Sequence, residues 1–271
     1  ENFLDEQNRL TAFPAKRRVK LQALCYLAQK FEQHAKALEV PFISDEVDNV
    51  EKNTDGTWKI TGASGTVYET KTVLLATGAG HRKLGVPGEE TLAGAGVSYC
   101  ATCDGAFFRN KTVAVVGGGD VALEDALYLA AGCEKVYLIH RRQELRGTKV
   151  LQEQVANEPK ITFLPDTVVK EICGEQMVDH LVIANTGTGE EKELPVSGIF
   201  IAVGMNPQTD AVASVLDLDH GYVRAGEDGV TEQPGLFVAG DVRTKKLRQI
   251  VTAVADGANS VTSIVEYLKT L

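Results

Sequence analysis

The chain has 271 residues, of which 44% are hydrophobic and 24% are charged, and its formal net charge is −9. This length and composition suit a globular protein with one large or two ordinary domains. The acidic excess argues against a nucleic acid or an anionic membrane as the partner, because both are negatively charged.

The expected location follows from what the sequence lacks. No apolar run approaches the length of a membrane span, and residues 1–20 carry charges throughout where a signal peptide would have an apolar core. Five cysteines, an odd number, suit a reducing compartment better than a disulfide framework. We therefore expect a cytoplasmic protein whose partners are proteins or small molecules.

The first 76 residues predict one helix and a β-meander. Residues 16–40 contain no glycine or proline, and their apolar residues recur at roughly helical spacing, which predicts an amphipathic helix. Short β-type runs at 42–50, 58–61 and 66–70 are separated by Asp-Gly and Ser-Gly turns and predict the meander. An apolar strand at 72–76 follows.

The rest of the chain alternates between strands and helices. Strand 112–116, a glycine turn, helix 122–131 and strand 135–140 form a βαβ unit, which implies a parallel sheet. The later predicted elements are a helix at about 148–157, strands at 161–164, 167–173, 179–186, 191–194, 198–202 and 236–239, and a last helix at about 250–269. This alternation predicts an α/β fold.

Two cysteines two residues apart, Cys100 and Cys103, lie directly before Asp104. Such a pair can cycle between dithiol and disulfide, so we interpret it as a redox centre. Half of a zinc site is one alternative, but the other three cysteines are scattered singly and no histidine pair has ligand spacing. A structural disulfide is the other alternative, although so short a loop would constrain the unfolded chain little.

A glycine-rich turn follows the strand at 112–116 and opens the next helix. Its sequence, Gly117-Gly118-Gly119-Asp120-Val121-Ala122, fits the pattern G-x-G-x-x-A. In this context glycines allow a tight turn and a close approach of the backbone to a pyrophosphate, which then lies at the helix N-terminus. We predict a dinucleotide site; a tight βα turn without a ligand is the alternative.

The end of the next strand indicates which nicotinamide is bound. An NAD-binding unit offers an acidic residue to the ribose there, whereas this chain has His140-Arg141-Arg142 followed by Arg146. Guanidinium groups bind a 2′-phosphate bidentately, and a carboxylate would repel it. The pattern favours NADPH, with a solvated basic patch as the alternative.

Several motifs occur in one order along the chain: Ala76-Thr77-Gly78, Cys100 to Gly105, Gly117 to Glu124, His140 to Arg146, and Gly240-Asp241. Together they resemble the low-molecular-weight, bacterial-type thioredoxin reductases, which are homodimeric flavoenzymes. The resemblance covers about residues 30–271. It implies two Rossmann-like, three-layer domains, namely an FAD domain at 1–84 and 205–271 and an inserted NADPH domain at 85–204 that carries the redox pair.

The resemblance also implies a role for each motif. Cys103 would face the flavin, Cys100 would attack the disulfide of thioredoxin, and Asp104 would move the proton; a surface turn residue is the alternative for Asp104. Asp241 would bind the ribityl chain of FAD. Arg248, Gln249 and Ile250 would approach the flavin ring, where the last helix begins. Without the resemblance, Gly240-Asp241 would be no more than a turn.

One part of the family pattern has no counterpart in the sequence. These reductases begin with a strand and a G-x-G-x-x-G loop for FAD, yet the first glycine here is Gly56. A first βα unit takes about 30 residues or more, and residues 1–20 do not supply it. We therefore expect the first βα unit of the FAD domain to be missing from this chain and FAD to be a cofactor of the intact enzyme; a divergent member that has lost half of its flavin site is the alternative.

The predicted function is an NADPH-dependent flavoprotein that passes electrons through FAD to Cys100 and Cys103 and on to thioredoxin or a thioredoxin-like protein. Alternatives within the class are a reductase for another carrier, such as a peroxidase-reductase subunit, and a ferredoxin-linked enzyme. The arginine set argues against ferredoxin. A non-catalytic remnant that binds NADPH is the alternative from a different class.

Overall fold

The computed structural model describes the backbone of residues 15–271 and the side chains of residues 26–271. The charged segment before Ala15 and the side chain of Cys25 lie outside the described residues. Two compact units are present. The inserted unit comprises Arg82–Gly204 with the described part of Glu1–Val40, and the split unit comprises Pro41–His81 with Met205–Leu271.

The inserted unit contains four helices and eight strands. The helices are α1 (Ala15–Ala37), α2 (Ala101–Asp104), α3 (Asp120–Ala130) and α4 (Lys149–Asn157). The strands are β6 (Val97–Ser98), β7 (Thr112–Val116), β8 (Lys135–Ile139), β9 (Ile161–Leu164), β10 (Thr167–Cys173), β11 (His180–Asn185), β12 (Glu191–Pro195) and β13 (Ile199–Ile201).

A five-stranded parallel sheet forms the centre of the inserted unit, in the order β6-β13-β7-β8-β9. Strand β7 is apolar on both faces, as a strand covered on both sides must be. Val113 and Val115 pack against α3, whereas Ala114 and Val116 pack toward the antiparallel sheet β10-β11-β12. The unit is therefore a three-layer α/β structure.

The split unit contains the remaining strands and the last helix. The strands are β1 (Val47–Lys52), β2 (Trp58–Gly62), β3 (Val67–Thr70), β4 (Val73–Leu75), β5 (Ala79–His81), β14 (Met205–Pro207), β15 (Leu218–Asp219), β16 (Tyr222–Val223) and β17 (Leu236–Val238). The helix is α5 (Ile250–Leu268).

Its core joins segments that are far apart in sequence. Strands β1, β2 and β3 form the predicted antiparallel meander, and β4 pairs in parallel with β17. The fully buried Trp58 belongs to one hydrophobic core with residues of the meander and of the β4–β17 pair. Because β4 and β17 are parallel neighbours, the turns that follow them leave the same edge of the sheet, which is where α/β folds bind ligands.

The chain passes between the units at 40/41, 81/82 and 204/205. The sequence predicts divisions at 84/85 and 204/205. In the split unit β5 pairs antiparallel with β14, and in the inserted unit the Arg82 N–H bonds to the Gly204 carbonyl. The connections at 81/82 and 204/205 therefore run side by side. No helix among the described residues is long and apolar enough to cross a membrane.

Candidate active site

Cys100 and Cys103 form a disulfide at the start of helix α2, with their Cα atoms 5.3 Å apart. Cys100 has an extended backbone and caps the helix, and its sulfur accepts a hydrogen bond from the Cys103 N–H at 3.2 Å. A spacing of three residues places two side chains on the same face of a helical turn, so this turn brings the sulfurs together. Cys103 is exposed and Cys100 is half-buried.

The two other cysteines whose side chains the structure describes, Cys133 and Cys173, are not in disulfides. Burial raises the pKa of both thiols. A raised pKa keeps a cysteine protonated, and a protonated thiol is a poor nucleophile. The disulfide at α2 is therefore the redox-capable group of the described chain.

Asp104 ends helix α2, and its side chain is directed into the protein. The residue is only 8% exposed, so the alternative of a surface turn residue does not hold. One carboxylate oxygen, Oδ2, accepts a hydrogen bond of 2.6 Å from the hydroxyl of Ser98. Ser98 lies on β6 and is 5% exposed. It was not among the residues that the sequence indicated.

Two phenylalanines follow the redox pair in the short 3-10 helix Gly105–Phe108. Phe108 is buried and makes an edge-to-face contact with Phe200, with ring centroids 5.3 Å apart. Phe107 is 57% exposed. An exposed aromatic ring is typical of protein-binding surfaces, and the sequence alone did not distinguish it from Phe108.

The glycine turn between β7 and α3 is built from close contacts. A Cβ on Gly117 would lie 2.5 Å from the Ala202 carbonyl oxygen and 2.6 Å from the Ala122 Cβ. One on Gly118 would lie 2.4 Å from the ring of His140. Side chains at these two positions are excluded by sterics, as the glycine pattern predicts.

Gly119 is different, because a Cβ there would meet no atom within 4 Å. It caps α3, whose first residues Asp120 and Val121 follow it. The Asp120 carboxylate accepts the Thr148 N–H at 2.6 Å, and Val121 is 64% exposed. The open space over Gly119, at the start of an 11-residue helix, can receive an anionic group.

The basic segment is attached to this turn by the main chain. The Gly118 carbonyl accepts the N–H groups of Arg146, at 2.6 Å, and of Gly147, at 3.1 Å. Arg141, Arg142 and Arg146 are exposed, and none of their guanidinium groups is in an ion pair with another described residue. Three unpaired cations beside an open helix N-terminus favour a polyanionic ligand.

His140 has a different environment from the arginines that follow it. The residue is 5% exposed, and its Nε2 has no hydrogen-bond partner among the described residues. Burial lowers the pKa of His140, and the positive charge of Arg146 lowers it further. The imidazole is therefore neutral at pH 7. Its ring packs against Gly118, and its buried Nε2 is left without a hydrogen-bond partner within the described part of the chain.

In the split unit, β4 and β17 end at two turns that the sequence indicated. Ala76 and Thr77 are exposed after β4, and Gly78 has a φ of 74° with open space where a Cβ would be. The Ala239 N–H bonds to the Leu75 carbonyl, which holds the second turn beside the first. The structure thus brings these two motifs together.

Asp241 lies in the 3-10 turn after β17 and has an unsatisfied polar atom. Its Oδ1 is buried and finds no hydrogen-bond partner in the described structure. The Arg248 Nε bonds to the Asp241 carbonyl at 3.4 Å, and the guanidinium stacks 4.2 Å from the Tyr222 ring centroid. Gln249 caps α5, and Ile250 is 49% exposed. A buried carboxylate oxygen without a partner indicates a ligand that donates a hydrogen bond.

A buried ionic cluster supports this turn. Asp256 on α5 accepts two hydrogen bonds from Arg243, at 2.6 and 2.8 Å, and one from Lys245, at 2.7 Å. It also accepts the N–H of Gly240 at 3.0 Å. The three charged side chains are 5 to 7% exposed. Asp256 therefore joins α5 to the backbone of the turn that carries Asp241.

The cluster makes stability depend on acid. Burial would raise the pKa of Asp256, but hydrogen bonds from Arg243, Lys245 and Gly240 lower it from 3.8 to about 2. This shift is worth about 2 kcal/mol at neutral pH. Because the folded pKa is the lower one, this contribution is full above about pH 5 and is lost as the pH falls through 4 toward 2.

We therefore expect Asp256→Asn to destabilise the protein at pH 7 and to lose roughly half of that disadvantage at pH 3. Urea unfolding of the parent and the variant at both pH values measures the difference. Glu266→Gln, which removes an exposed carboxylate from the same helix, serves as the control and should change little. If the difference in unfolding free energy between the parent and Asp256→Asn is the same at pH 3 and pH 7, the lowered pKa of Asp256 is contradicted.

The comparison with known proteins agrees with this geometry. A family profile described as "Pyridine nucleotide-disulphide oxidoreductase" matches residues 10–257. The chain belongs to the pyridine nucleotide-disulphide oxidoreductase family. The match extends over both units, so the disulfide, the glycine turn and the Gly240-Asp241 turn all lie within it.

Similar proteins within this oxidoreductase family are named thioredoxin reductase. One from Listeria innocua is 44% identical over 216 residues, which are 79% of this chain and 68% of the relative. One from Peptoclostridium acidaminophilum is 40% identical over 90% of this chain and 79% of its own length. The crystal structure of thioredoxin reductase from Streptococcus pyogenes superposes with a TM-score of 0.85 at 42% identity, covering 91% of this chain and 80% of that one.

Proposed function

We propose that this oxidoreductase uses NADPH and FAD to reduce the Cys100–Cys103 disulfide and passes the electrons to thioredoxin. The observation that carries the proposal is the disulfide itself, formed at a helix start beside the buried carboxyl of Asp104. Relatives at 40 to 44% identity that are named thioredoxin reductase support thioredoxin as the substrate. Oxidation of NADPH by the FAD-loaded protein, dependent on added oxidised thioredoxin, tests it.

The residues of the split unit fit FAD. The unpaired Asp241 Oδ1 needs a hydrogen-bond donor, and a ribityl hydroxyl supplies one. Gly78 and Gly240 have positive φ where β4 and β17 end, and Gly78 leaves open space at that edge. Held by these residues, FAD would supply the two-electron redox chemistry that links NADPH to the disulfide. We assign the FAD domain to Pro41–His81 and Met205–Leu271.

The residues of the inserted unit fit NADPH. Gly119 and the N-terminus of α3 would hold the pyrophosphate, and the neutral His140 offers its unpaired Nε2 beneath the turn. Arg141, Arg142 and Arg146 would bind the 2′-phosphate. These arginines favour NADPH over a ferredoxin-linked route. We assign the NADPH domain to Arg82–Gly204.

The disulfide chemistry proceeds in balanced steps. Two electrons break the Cys100–Cys103 bond and leave a thiolate and, with one proton, a thiol. The Cys100 thiolate attacks the disulfide of thioredoxin and forms a mixed disulfide. Cys103 then attacks the Cys100 sulfur, which restores the intramolecular disulfide and releases thioredoxin with both of its cysteines reduced. Asp104 takes the proton that the Cys103 thiol loses in this attack and passes it to the leaving thioredoxin thiolate. The thioredoxin thiolate released in the first step takes a proton from solvent.

We propose that Phe107 contacts the protein substrate. It is exposed within four residues of Cys103, and its neighbour Phe108 anchors the same turn in the core. We also propose that the enzyme works as a homodimer in the cytoplasm. The thioredoxin reductase resemblance supports the dimer, and the odd cysteine count supports a reducing compartment.

The role of Asp241 gives a direct test of the FAD site. Asp241→Ala removes the unpaired acceptor, so we expect FAD to bind about tenfold or more weakly, because a charged acceptor contributes about 1.5–3 kcal/mol. Titration of the apoprotein with FAD, followed by flavin fluorescence, measures this. Asp210→Ala, at an exposed acidic residue of the same unit, is the matched control. Equal FAD affinity of parent and Asp241→Ala would rule out this site.

A further inference from the structure

The hydroxyl of Ser98 makes three polar contacts next to the redox pair. Its Oγ lies 2.6 Å from Asp104 Oδ2, accepts the Cys100 N–H at 3.1 Å, and lies 3.3 Å from the Cys100 carbonyl oxygen. Both Ser98 and Asp104 are buried, at 5% and 8% exposed. A buried carboxyl is costly unless it is hydrogen-bonded, and the Ser98 hydroxyl supplies Asp104 with one such bond.

A hydroxyl has one proton and two lone pairs, and Ser98 has two possible acceptors for that proton, the Asp104 carboxylate and the Cys100 carbonyl. When Asp104 is ionised, Ser98 donates to the carboxylate. When Asp104 is protonated, its own O–H can donate to Ser98 Oγ, and the serine proton turns to the Cys100 carbonyl. The same three groups therefore satisfy one another in both protonation states of the carboxyl.

We propose that Ser98 is a positioning residue for proton transfer by Asp104. A group that loses and regains a proton in every turnover needs partners that fit both of its states, and Ser98 supplies them without any movement of the main chain. The Cys100 N–H fixes the hydroxyl to the residue that carries the attacking sulfur. Ser98 thus holds the Asp104 carboxyl in a fixed position relative to the disulfide. This inference rests on the proposed function, because it concerns the reduction of thioredoxin.

A double-mutant cycle tests it. The full chain is loaded with FAD, reduced with dithiothreitol and freed of excess reductant. It is then mixed with oxidised thioredoxin. After acid quenching and alkylation, the thiols formed on thioredoxin are counted to give the rate. We expect Asp104→Asn to slow the reaction about a hundredfold. Ser98→Ala should slow it about tenfold in the parent. Because Ser98 acts through Asp104, Ser98→Ala should add less than about a twofold effect in the Asp104→Asn background.

Matched variants separate this role from a general loss of packing. Ser98→Thr and Ser98→Val add nearly the same volume, so a shared folding cost cancels and only the hydroxyl differs. The threonine variant should react at least about fivefold faster than the valine variant. Thr167→Val removes another buried hydroxyl that bonds to a main-chain carbonyl, on β10, and should leave the rate unchanged.

Three results would overturn the proposal. If Ser98→Ala slows the Asp104→Asn protein as much as it slows the parent, Ser98 acts independently of Asp104. If threonine and valine at position 98 react equally fast, the hydroxyl is not needed. If Asp104→Asn reacts as fast as the parent, there is no proton transfer for Ser98 to support. Each of these three results refutes the role of Ser98 and leaves the proposed function standing. If the parent protein itself does not reduce thioredoxin, the proposed function is refuted, and the role of Ser98 with it.

Discussion

Cys103→Ser is expected to abolish steady-state reduction of thioredoxin by NADPH, with a loss on the order of a thousandfold or more. Without the second cysteine, Cys100 cannot return to a disulfide, so electrons have no path to the protein substrate. The flavin-binding residues of the split unit are untouched. The variant should therefore bind FAD with the affinity of the parent, which excludes misfolding as the cause of the loss.

The same pair of cysteines can be assigned separate roles by trapping. The probe is a thioredoxin in which one active-site cysteine is replaced and the other forms a mixed disulfide with thionitrobenzoate. A single enzyme thiol can attack this mixed disulfide and become linked to thioredoxin. Cys103→Ser should capture it through Cys100 and release thionitrobenzoate, whereas Cys100→Ser should react at least about tenfold more slowly. The greater exposure of Cys103 favours the opposite result on access alone. Faster capture by Cys100→Ser would reverse the assigned roles, and no capture by either variant would remove the pair from the mechanism.

Arg141→Ala is expected to raise the Michaelis constant for NADPH about tenfold to a hundredfold and to leave that for NADH unchanged. The physical reason is the loss of a charge-assisted contact to the 2′-phosphate, which contributes about 1.5–3 kcal/mol and which NADH cannot make. Exposed Arg141 forms no ion pair with the rest of the described chain, so its removal leaves no buried partner behind.

Two measurements show whether the rise in the Michaelis constant for NADPH comes from lost 2′-phosphate recognition or from another effect of the substitution. Steady-state kinetics with NADPH and NADH gives the ratio of the two Michaelis constants, and Lys170→Ala, at an exposed lysine on β10, controls for the change in net charge. Calorimetric titration with adenosine 2′,5′-bisphosphate and with AMP tests the same contact without the flavin. Equal effects of Arg141→Ala on both nucleotides, or on both Michaelis constants, would refute the assignment of the 2′-phosphate site.

Much of the fold could be predicted because apolar periodicity and glycine turns are local signals. The α/β class is confirmed, and strands 112–116, 161–164 and 167–173 lie where the sequence predicts them. The first helix was predicted to reach residue 40, yet it ends at Ala37, and Glu39 adopts a φ of 57°. The nearest breaker in the sequence, Pro41, lies four residues beyond Ala37, so the pattern placed the end of the helix too late.

The paired connections between the units were not predicted, for a physical reason. Strands β5 and β14 have only three residues each and contain Gly80 and Pro207, which are typical of turns. They are strands only because they pair with each other across more than 120 residues of chain. Tertiary pairing of this kind leaves no periodic trace in either segment.

At the candidate site, the sequence indicated the residues that carry motifs and missed those that support them. Ser98 belongs to no motif, and only the fold of α2 against β6 brings Asp104 to its hydroxyl. Asp256 reads as one polar position on an amphipathic helix, while its partners Arg243 and Lys245 lie in a preceding loop. Such supporting contacts depend on the three-dimensional arrangement and therefore need a structure.

The central claim, that electrons from NADPH reach the Cys100–Cys103 disulfide, is tested most directly by counting thiols. The FAD-loaded protein is treated anaerobically with NADPH, quenched with an alkylating agent and digested. The mass of the peptide that contains both cysteines is then measured by mass spectrometry. We predict that this peptide changes from the intramolecular disulfide to the doubly alkylated form, and that it does so only when both FAD and NADPH are present. A peptide that keeps its disulfide while the flavin absorbance is bleached would contradict the account.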